Sequence, residues 1–373
     1  MTTRRRLIAS PGTQIFYVVD WLPPDFGAVG QYGLLAARAL ADAGENVRLI
    51  GLTTAAPRTT QETLARGNRI EIDYIASAAY LRADLCRRLL WTLKTNFRLL
   101  RAVITDPRSR RAKVTFTGAP PFLLFFVIAL KWLRRVHLTY RITDFYPEVL
   151  IAELGSRWWL SALQRLTWLV RRQVDQFEAL GEDQRALLTA GGIAPERIRL
   201  ERDISPVTFG AGAAPARRPA ALSNHKILLY SGNYSTAHDA ETVVEGLIRH
   251  HRAGGRFGLW LNATGSKADA VEAALRDASF PVVRTVPGSL AELPSLLLAA
   301  DAHLISLRSQ FAGIVLPSKV YGCIASRKPV LFVGPAASDV HLLCREAELP
   351  AYERVQPGDP VGFAEALDRL TAL

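Results

Sequence analysis

Twice along its length the chain repeats one pattern: a short β-branched or aromatic run, a loop rich in Gly, Pro or small polar residues, and a segment with helical apolar spacing. Short runs that are apolar throughout suit strands of a parallel sheet, which helices cover on both faces. A chain built this way is confined to open, doubly wound α/β folds. In the first half the spacing predicts strands at Gln14–Asp20, Asn46–Leu52, Arg69–Ile75, Lys113–Thr117, His137–Ile142 and Glu178–Leu180. Helices are predicted at Tyr32–Ala43, Leu81–Val103, Phe122–Arg134 and Glu182–Ala190. In the second half strands are predicted at Lys226–Tyr230, Phe257–Ala263, Val282–Thr285, Ala302–Ser306 and Val330–Val333. The helices between them are expected at Ala240–His251, Lys267–Asp277, Leu290–Ala299 and Ser318–Ala325. Pro206–Ser223, rich in Ala, Gly and Pro and without an apolar period, separates the halves as a linker. The domains expected are therefore 1–205, an N-terminal Rossmann-like unit, and 224–373, a C-terminal one, joined through 206–223; at about 150 residues per domain, 373 residues fit two.

Composition removes several function classes. The 49% hydrophobic and 21% charged balance excludes disorder and coiled coil. Three cysteines, Cys86, Cys323 and Cys344, share no CxxC spacing, which argues against a disulfide framework or a cysteine zinc cluster and for a cytoplasmic setting. The basic start is broken by Ser10-Pro11-Gly12 before an apolar core forms, so no signal peptide is expected. The most apolar run, Phe122 to Leu130, is too short to span a bilayer. The net charge of +12 is unevenly spread: residues 224–373 carry 14 Lys and Arg against 15 Asp and Glu, leaving 32 against 19 in the first half. A one-signed field in one half implies an acidic partner there, a membrane surface or a phosphorylated substrate, with nucleic acid disfavoured for want of a binding motif. The densest part is residues 82–113, where ten Lys and Arg face only Asp84 and Asp106 and interleave with Leu89, Leu90, Trp91, Leu93, Phe97 and Leu100. That composition suits an interfacial helix on an anionic membrane, or else a helix whose apolar stripe packs on the sheet.

In open parallel sheets ligands bind beyond the carboxyl ends of strands, which directs attention to four loops. Gly27-Ala28-Val29-Gly30-Gln31-Tyr32-Gly33 follows the first strand; glycines there either let backbone N–H groups approach a phosphate or permit tight helix packing. Its spacing is GxxGxxG, and the second strand ends in Leu52-Thr53-Thr54 without the acid that a nicotinamide enzyme places on a ribose. The matching loop of the second half, Ser231-Gly232-Asn233-Tyr234-Ser235-Thr236-Ala237-His238-Asp239, suits an anion, with Asp239 also a plain helix cap and His238 either a site residue or a surface histidine. A third loop, around Gly265, and a fourth, Pro317-Ser318-Lys319, add a lysine at a helix start, where it opposes the helix dipole unless an anion is bound.

With these residues in view, the sequence resembles the GT-B glycosyltransferases, in particular the retaining family 4 group. The resemblance runs over nearly the whole chain and is carried by Asp20–Gly51, YRITDFYPE (Tyr140–Glu148), YSGNYSTAHDAETVVEGL (Tyr230–Leu247), AADAHLISL (Ala299–Leu307) and, most specifically, VLPSKVYGCIASRKPVLFVG (Val315–Gly334). It implies two Rossmann-like domains facing across a cleft, a nucleotide-diphosphate sugar held by the C-terminal domain, an acceptor presented by the N-terminal one, and no metal or other cofactor. It implies further that Gly27 and Gly30 contact the diphosphate or transferred sugar, and that Gly232, Asn233 and Lys319 surround the diphosphate; Gly265 and Ser318 are expected to join them because their strand-end loops converge on the same sheet edge in this topology. The sequence departs from the family at its Glu-x7-Glu pair, whose positions fall on Ile314 and Gly322, and at the histidine before Asp144, which is Thr143 here. Asp144 and His238, together with Lys319, are the polar candidates for catalysis. The expected function is transfer of a sugar, with retention, to a lipid-linked or glycan acceptor in bacterial polysaccharide or glycolipid synthesis, by a cytoplasmic protein peripheral on the inner face of the membrane. The alternatives are a non-catalytic GT-B subunit and, less favoured for lack of an acid/base pair, a sugar-nucleotide epimerase.

Overall fold

A computed structural model describes residues 13–25, 27–78, 85–210 and 212–372, with the side chains of Leu85 and Cys86 left out. The start of the chain, including the signal-peptide reading, and Leu81, Arg82 and Asp84 of the basic stretch lie outside these residues. By its contacts the chain forms two units, one of residues 1–151, 156–180 and 184–202, the other of 152–155, 181–183 and 203–373.

The first unit holds, in chain order, β1 (Gln14–Trp21), α1 (Ala28–Asp42), β2 (Asn46–Thr53), β3 (Arg58–Thr63), β4 (Arg69–Ala76), α2 (Leu85–Ile104), β5 (Lys113–Thr117), α3 (Leu123–Arg134) and β6 (His137–Ile142). α4 (Glu148–Leu154), α5 (Trp158–Arg171), β7 (Gln176–Ala179), α6 (Glu182–Ala190) and β8 (Ile198–Leu200) complete the series. The sheet order is β3-β4-β2-β1-β5-β6-β7-β8, parallel except for β3, which turns back on β4 as an exposed edge hairpin. Ile15, Tyr17 and Val19 of β1 point to one face and pack with Leu34, Ala37 and Ala41 of α1, the period-2 and helical spacings meeting in one core. Glu148, within the YRITDFYPE stretch, is spent on structure: its carboxylate takes both N–H groups of the wholly buried Arg171 at 2.6 and 2.9 Å, and Arg171 also donates to Tyr146 O.

The second unit holds β9 (Lys226–Asn233), α7 (Glu241–Arg252), β10 (Phe257–Thr264), α8 (Ala268–Asp277), β11 (Val282–Thr285), α9 (Leu293–Leu298), β12 (Ala302–Ser306), α10 (Lys319–Ala325), β13 (Val330–Val333), α11 (Asp339–Glu346), β14 (Tyr352–Val355) and α12 (Pro360–Thr371). Its six strands are all parallel, in the order β11-β10-β9-β12-β13-β14. One face buries Tyr230, Val243, Leu247, Phe363 and Leu367 among others, and the opposite face buries Ile227, Leu229 and Trp260. The Pro206–Ser223 segment is more than a connector, because its Val207 and Leu222 belong to that second core.

Candidate functional site

The order of the second sheet reverses between β9 and β12: the chain leaves β9 toward β10 on one side and later returns to β12 on the other. β9 and β12 pair only through Leu228 with Ala302 and Leu229 with His303, while β9 stays registered with β10 as far as Asn233 and Thr264. Beyond Leu229, therefore, the two central strands part. A parting of this kind at the carboxyl ends is the crevice in which open α/β sheets bind ligands.

The loop after β9 and the start of α10 supply the residues there. Gly232 has φ +130°, a conformation that favours glycine, and a Cβ placed on it would lie 3.5 Å from the Lys319 side chain. Lys319 Nζ stands 3.6 Å from the centre of the Tyr230 ring. It is buried and has no hydrogen-bond partner. Burial away from water pulls its pKa down to about 7, which marks an ammonium held without a countercharge. His238 Nδ1 donates to Ser306 O at the end of β12, 2.6 Å away, and its ring meets those of Tyr230 and Tyr234 edge-on. Burial, then the Lys319 charge, push His238 well below its ordinary pKa, so a neutral imidazole bridges the parted strands. His238 is thus buried, not a surface histidine, and what the geometry shows for it is positioning of the loop. Asp239 caps α7, accepting from Thr242 N at 2.9 Å and from Thr242 Oγ1 at 3.0 Å.

The other second-unit candidates divide. Asn233 is exposed, and a Cβ on Gly265 would fall 2.4 Å from Asn233 Oδ1 and 2.4 Å from Tyr234 O, so Gly265 serves close packing of the loops after β9 and β10. Ser318 is half-buried immediately before Lys319. Gly322, aligned with the second family glutamate, is walled by Leu297, whose Cδ1 would lie 3.3 Å from an added Cβ. The parts of the site that sequence reasoning passed over are Tyr230, whose face the ammonium covers, and Ser306, whose carbonyl orients His238; only the register of β9 against β12 brings them in.

In the first unit the loop after β1 begins α1. A Cβ on Gly30 would sit 1.8 Å from Trp21 O, and one on Gly27 3.1 Å from Trp21 Cβ, so close approach of helix to strand accounts for both glycines. Asp144 follows β6, and burial raises its pKa to about 6. Asp20, near the end of β1, is its electrostatic partner. Burial first, and then the Asp144 charge, lift its pKa to about 7 against the opposing pull of the Trp21 and Gly30 N–H groups. Gly118, just past β5 between them in the sheet, gives Asp144 room: an added Cβ would be 2.8 Å from Asp144 O. Among the described residues no group of three or more His, Cys, Asp or Glu could hold a metal ion.

Comparison with known proteins bears on the class. No family model matches the chain. Over 291 residues it is 25% identical to a probable glycosyltransferase, WbjE, of Pseudomonas aeruginosa, spanning 71% of this chain and 68% of that protein. The fold is that of the GT-B glycosyltransferases. Its fold is shared with an α,α-trehalose-phosphate synthase (UDP-forming) of Burkholderia vietnamiensis, at a TM-score of 0.66 and 13% identity over 97% of this chain and 92% of that one. Anabaena HepE, crystallised with UDP and glucose, aligns at a TM-score of 0.62 and 11% identity over 96% and 90% of the two chains.

Two pH dependences are expected of this protein. If a diphosphate takes the Lys319 ammonium as its partner, nucleotide-sugar affinity is greatest below pH 7 and falls as the pH climbs above it, by up to about tenfold per unit. Calorimetric titration between pH 6 and 9, with Lys319→Met as the flat control, checks this; a wild-type profile as flat as the variant's removes the lysine from the site. Asp20 makes stability fall in the same direction, over a lower pH window. Its folded pKa of about 7 exceeds the ordinary 3.8, so the folded chain holds an extra proton between those values and loses stability as pH rises through 4 to 7. Asp20→Asn is expected to remove on the order of 1–2 kcal/mol of that decline, read by urea unfolding at pH 4.5 and 7.5.

Proposed function

We propose that this transferase moves a sugar from a nucleotide-diphosphate donor, bound where β9 and β12 part, to a membrane-associated or glycan acceptor, with retention of configuration and without a metal. The observation that carries the reading is the buried Lys319 ammonium with no hydrogen-bond partner beside the open backbone of Gly232. A buried cation of this kind is costly unless an anion completes it, and a departing diphosphate is such an anion. Lys319 and the N–H groups of the Gly232–Asn233 loop would take up the charge that develops on the leaving group. The UDP seen in HepE and the UDP-forming activity named for the Burkholderia synthase support a nucleotide of this class here. Retaining transfer asks for no protein nucleophile, in keeping with a site whose histidine is neutral and held by a carbonyl. The pair Asp20 and Asp144 offers hydrogen-bonding carboxyls for acceptor or sugar hydroxyls at neutral pH, since both titrate near the working range. The positive first half of the chain fits an acceptor anchored at an anionic membrane, and a peripheral place on its inner face.

A nucleotide-release assay over UDP-, GDP- and dTDP-sugars, with a bacterial lipid extract as acceptor, tests this. Release of one nucleotide that depends on the extract and persists in EDTA is expected, with the anomeric configuration kept in the product. No release from any donor favours a non-catalytic GT-B subunit, and release abolished by EDTA and restored by magnesium or manganese overturns the metal-free mechanism.

A further inference from the structure

The helix α2 is turned the opposite way from a sheet-packing helix. Its buried side presents Thr92, Thr95 and Asn96 before Leu99 and Val103, while Leu89, Leu90, Leu93 and Phe97 are exposed, Phe97 to 58%. Polar side chains inward are anchored by local bonds: Asn96 donates to Pro121 O and Thr92 to Arg88 O. Lys94, Arg98 and Arg101 are exposed beside the outward leucines. The lower part of the basic stretch does not join this face, because Arg108 is tied to Asp106 and Glu71 and Lys113 begins β5.

α2 packs beside α3, and α3 beside α5. The outward sides of those neighbours continue the surface with Trp132 and Leu133 of α3, exposed to 71% and 67%, and Trp158, Leu166 and Leu169 of α5, with Trp158 at 84%. None of the three helices contains an Asp or Glu. Scattered exposed apolar residues are ordinary, but adjacent helices that each expose large apolar or aromatic side chains and carry cations without a single acid are not.

We propose that the outward face of α2, α3 and α5 is a bilayer-docking surface, in which Trp132, Trp158 and the α2 leucines enter the interface of an anionic membrane while Lys94, Arg98 and Arg101 lie against lipid phosphates. The proposal deepens the reading of a membrane-associated acceptor and rests on it for its purpose. Charge decides the occupant: a surface with cations and no acid suits an anionic leaflet and repels a second copy of itself. Aromatic rings of Trp favour the headgroup level, where one edge stays wet. No helix among the described residues is long and apolar enough to cross a membrane, so docking here is by insertion of side chains.

The test uses the full chain, without nucleotide sugar, and vesicles of phosphatidylcholine with or without phosphatidylglycerol. Binding is expected only to the anionic vesicles. Lys94→Glu/Arg98→Glu/Arg101→Glu should weaken it roughly a hundredfold, and Trp132→Ser/Trp158→Ser roughly tenfold. With lipids brominated near the headgroup, Trp fluorescence is quenched, and Trp132→Phe/Trp158→Phe/Trp159→Phe abolishes the quenching while binding continues. Equal binding to both vesicle types, binding untouched by the Trp132/Trp158 serine variant, or a dimer in light scattering that Phe97→Ser/Trp158→Ser dissociates and that ignores vesicles would each overturn the proposal. Vesicle binding by a chain that releases no nucleotide supports the surface and counts against transfer alone.

Discussion

Lys319→Met should raise the thermal stability of the unliganded protein and at the same time remove most of its affinity for a nucleotide sugar. Both effects follow from one amine. Its Nζ is buried over the Tyr230 ring without a hydrogen-bond partner, and its folded pKa of about 7 lies far below the ordinary 10.5. The unfolded chain keeps the proton up to that higher value, so the penalty on the folded state is full below pH 7 and fades as pH rises toward 10.5. Methionine keeps the stem and drops the charge. A gain of about 1–3 kcal/mol is expected at pH 7, or several degrees in Tm at ~2–4 °C per kcal/mol. Loss of a charge-assisted bond to the diphosphate should cost roughly 1.5 to 3 kcal/mol of binding. Scanning calorimetry and titration calorimetry on the same variant read the two numbers. A lysine that merely rested on the surface would change neither, and lower stability with unchanged binding would defeat the assignment. Stability given up at a binding residue is the usual cost of a site prepared for a ligand.

Gly30→Ala is expected to be the most damaging single methyl in the first unit. The added carbon would fall 1.8 Å from the carbonyl oxygen of Trp21 and 2.7 Å from its carbonyl carbon. These are backbone atoms of a central strand, bonded through the sheet to β2 and β5, so the helix must retreat and the Val19 and Leu34 contacts open with it. A loss of roughly 3–5 kcal/mol, or failure to fold, is expected. Gly27→Ala, with its nearest contact at 3.1 Å and to a side chain, should cost no more than about 1–2 kcal/mol. Equal and small losses in urea unfolding would show that α1 can move away freely, and would return both glycines to the role of admitting a ligand.

Much of the fold was legible because it rests on short-range pattern. Lys113–Thr117, His137–Ile142, Val282–Thr285, Ala302–Ser306 and Val330–Val333 are strands with the limits expected of them. β3 escaped notice because Arg-Thr-Thr-Gln-Glu-Thr is an exposed edge with no apolar alternation. α5 escaped too, since its fully buried residues are Leu160, Thr167 and the ion-paired Arg171 while Trp158, Trp159, Leu166 and Leu169 face outward, which blurs the pattern that marks a surface helix. α11, β14 and α12 were simply too short or too near the end to be separated by spacing alone.

The sequence by itself determined that the chain alternates strand and helix in two halves, that loops rich in glycine follow the strands, and that the positive charge is confined to the first half. Each of these is a property of neighbours along the chain, set by spacing and side-chain type. Tertiary structure decided the rest. Periodicity shows which residues of α2 share a face, but only packing shows that its threonines and Asn96 go inward and Leu89, Leu93 and Phe97 go out. Lys319 could be named as a candidate from its motif, yet its lowered pKa arises from burial that only the fold creates, against the ring of Tyr230, 89 positions away in the chain. Asp20 and Asp144 likewise become a coupled pair only because β5 sets β1 and β6 two strands apart with their carboxyl ends on the same edge. Desolvation and the reach of one charge to another are set by distance through space, and a sequence carries no distances until it folds.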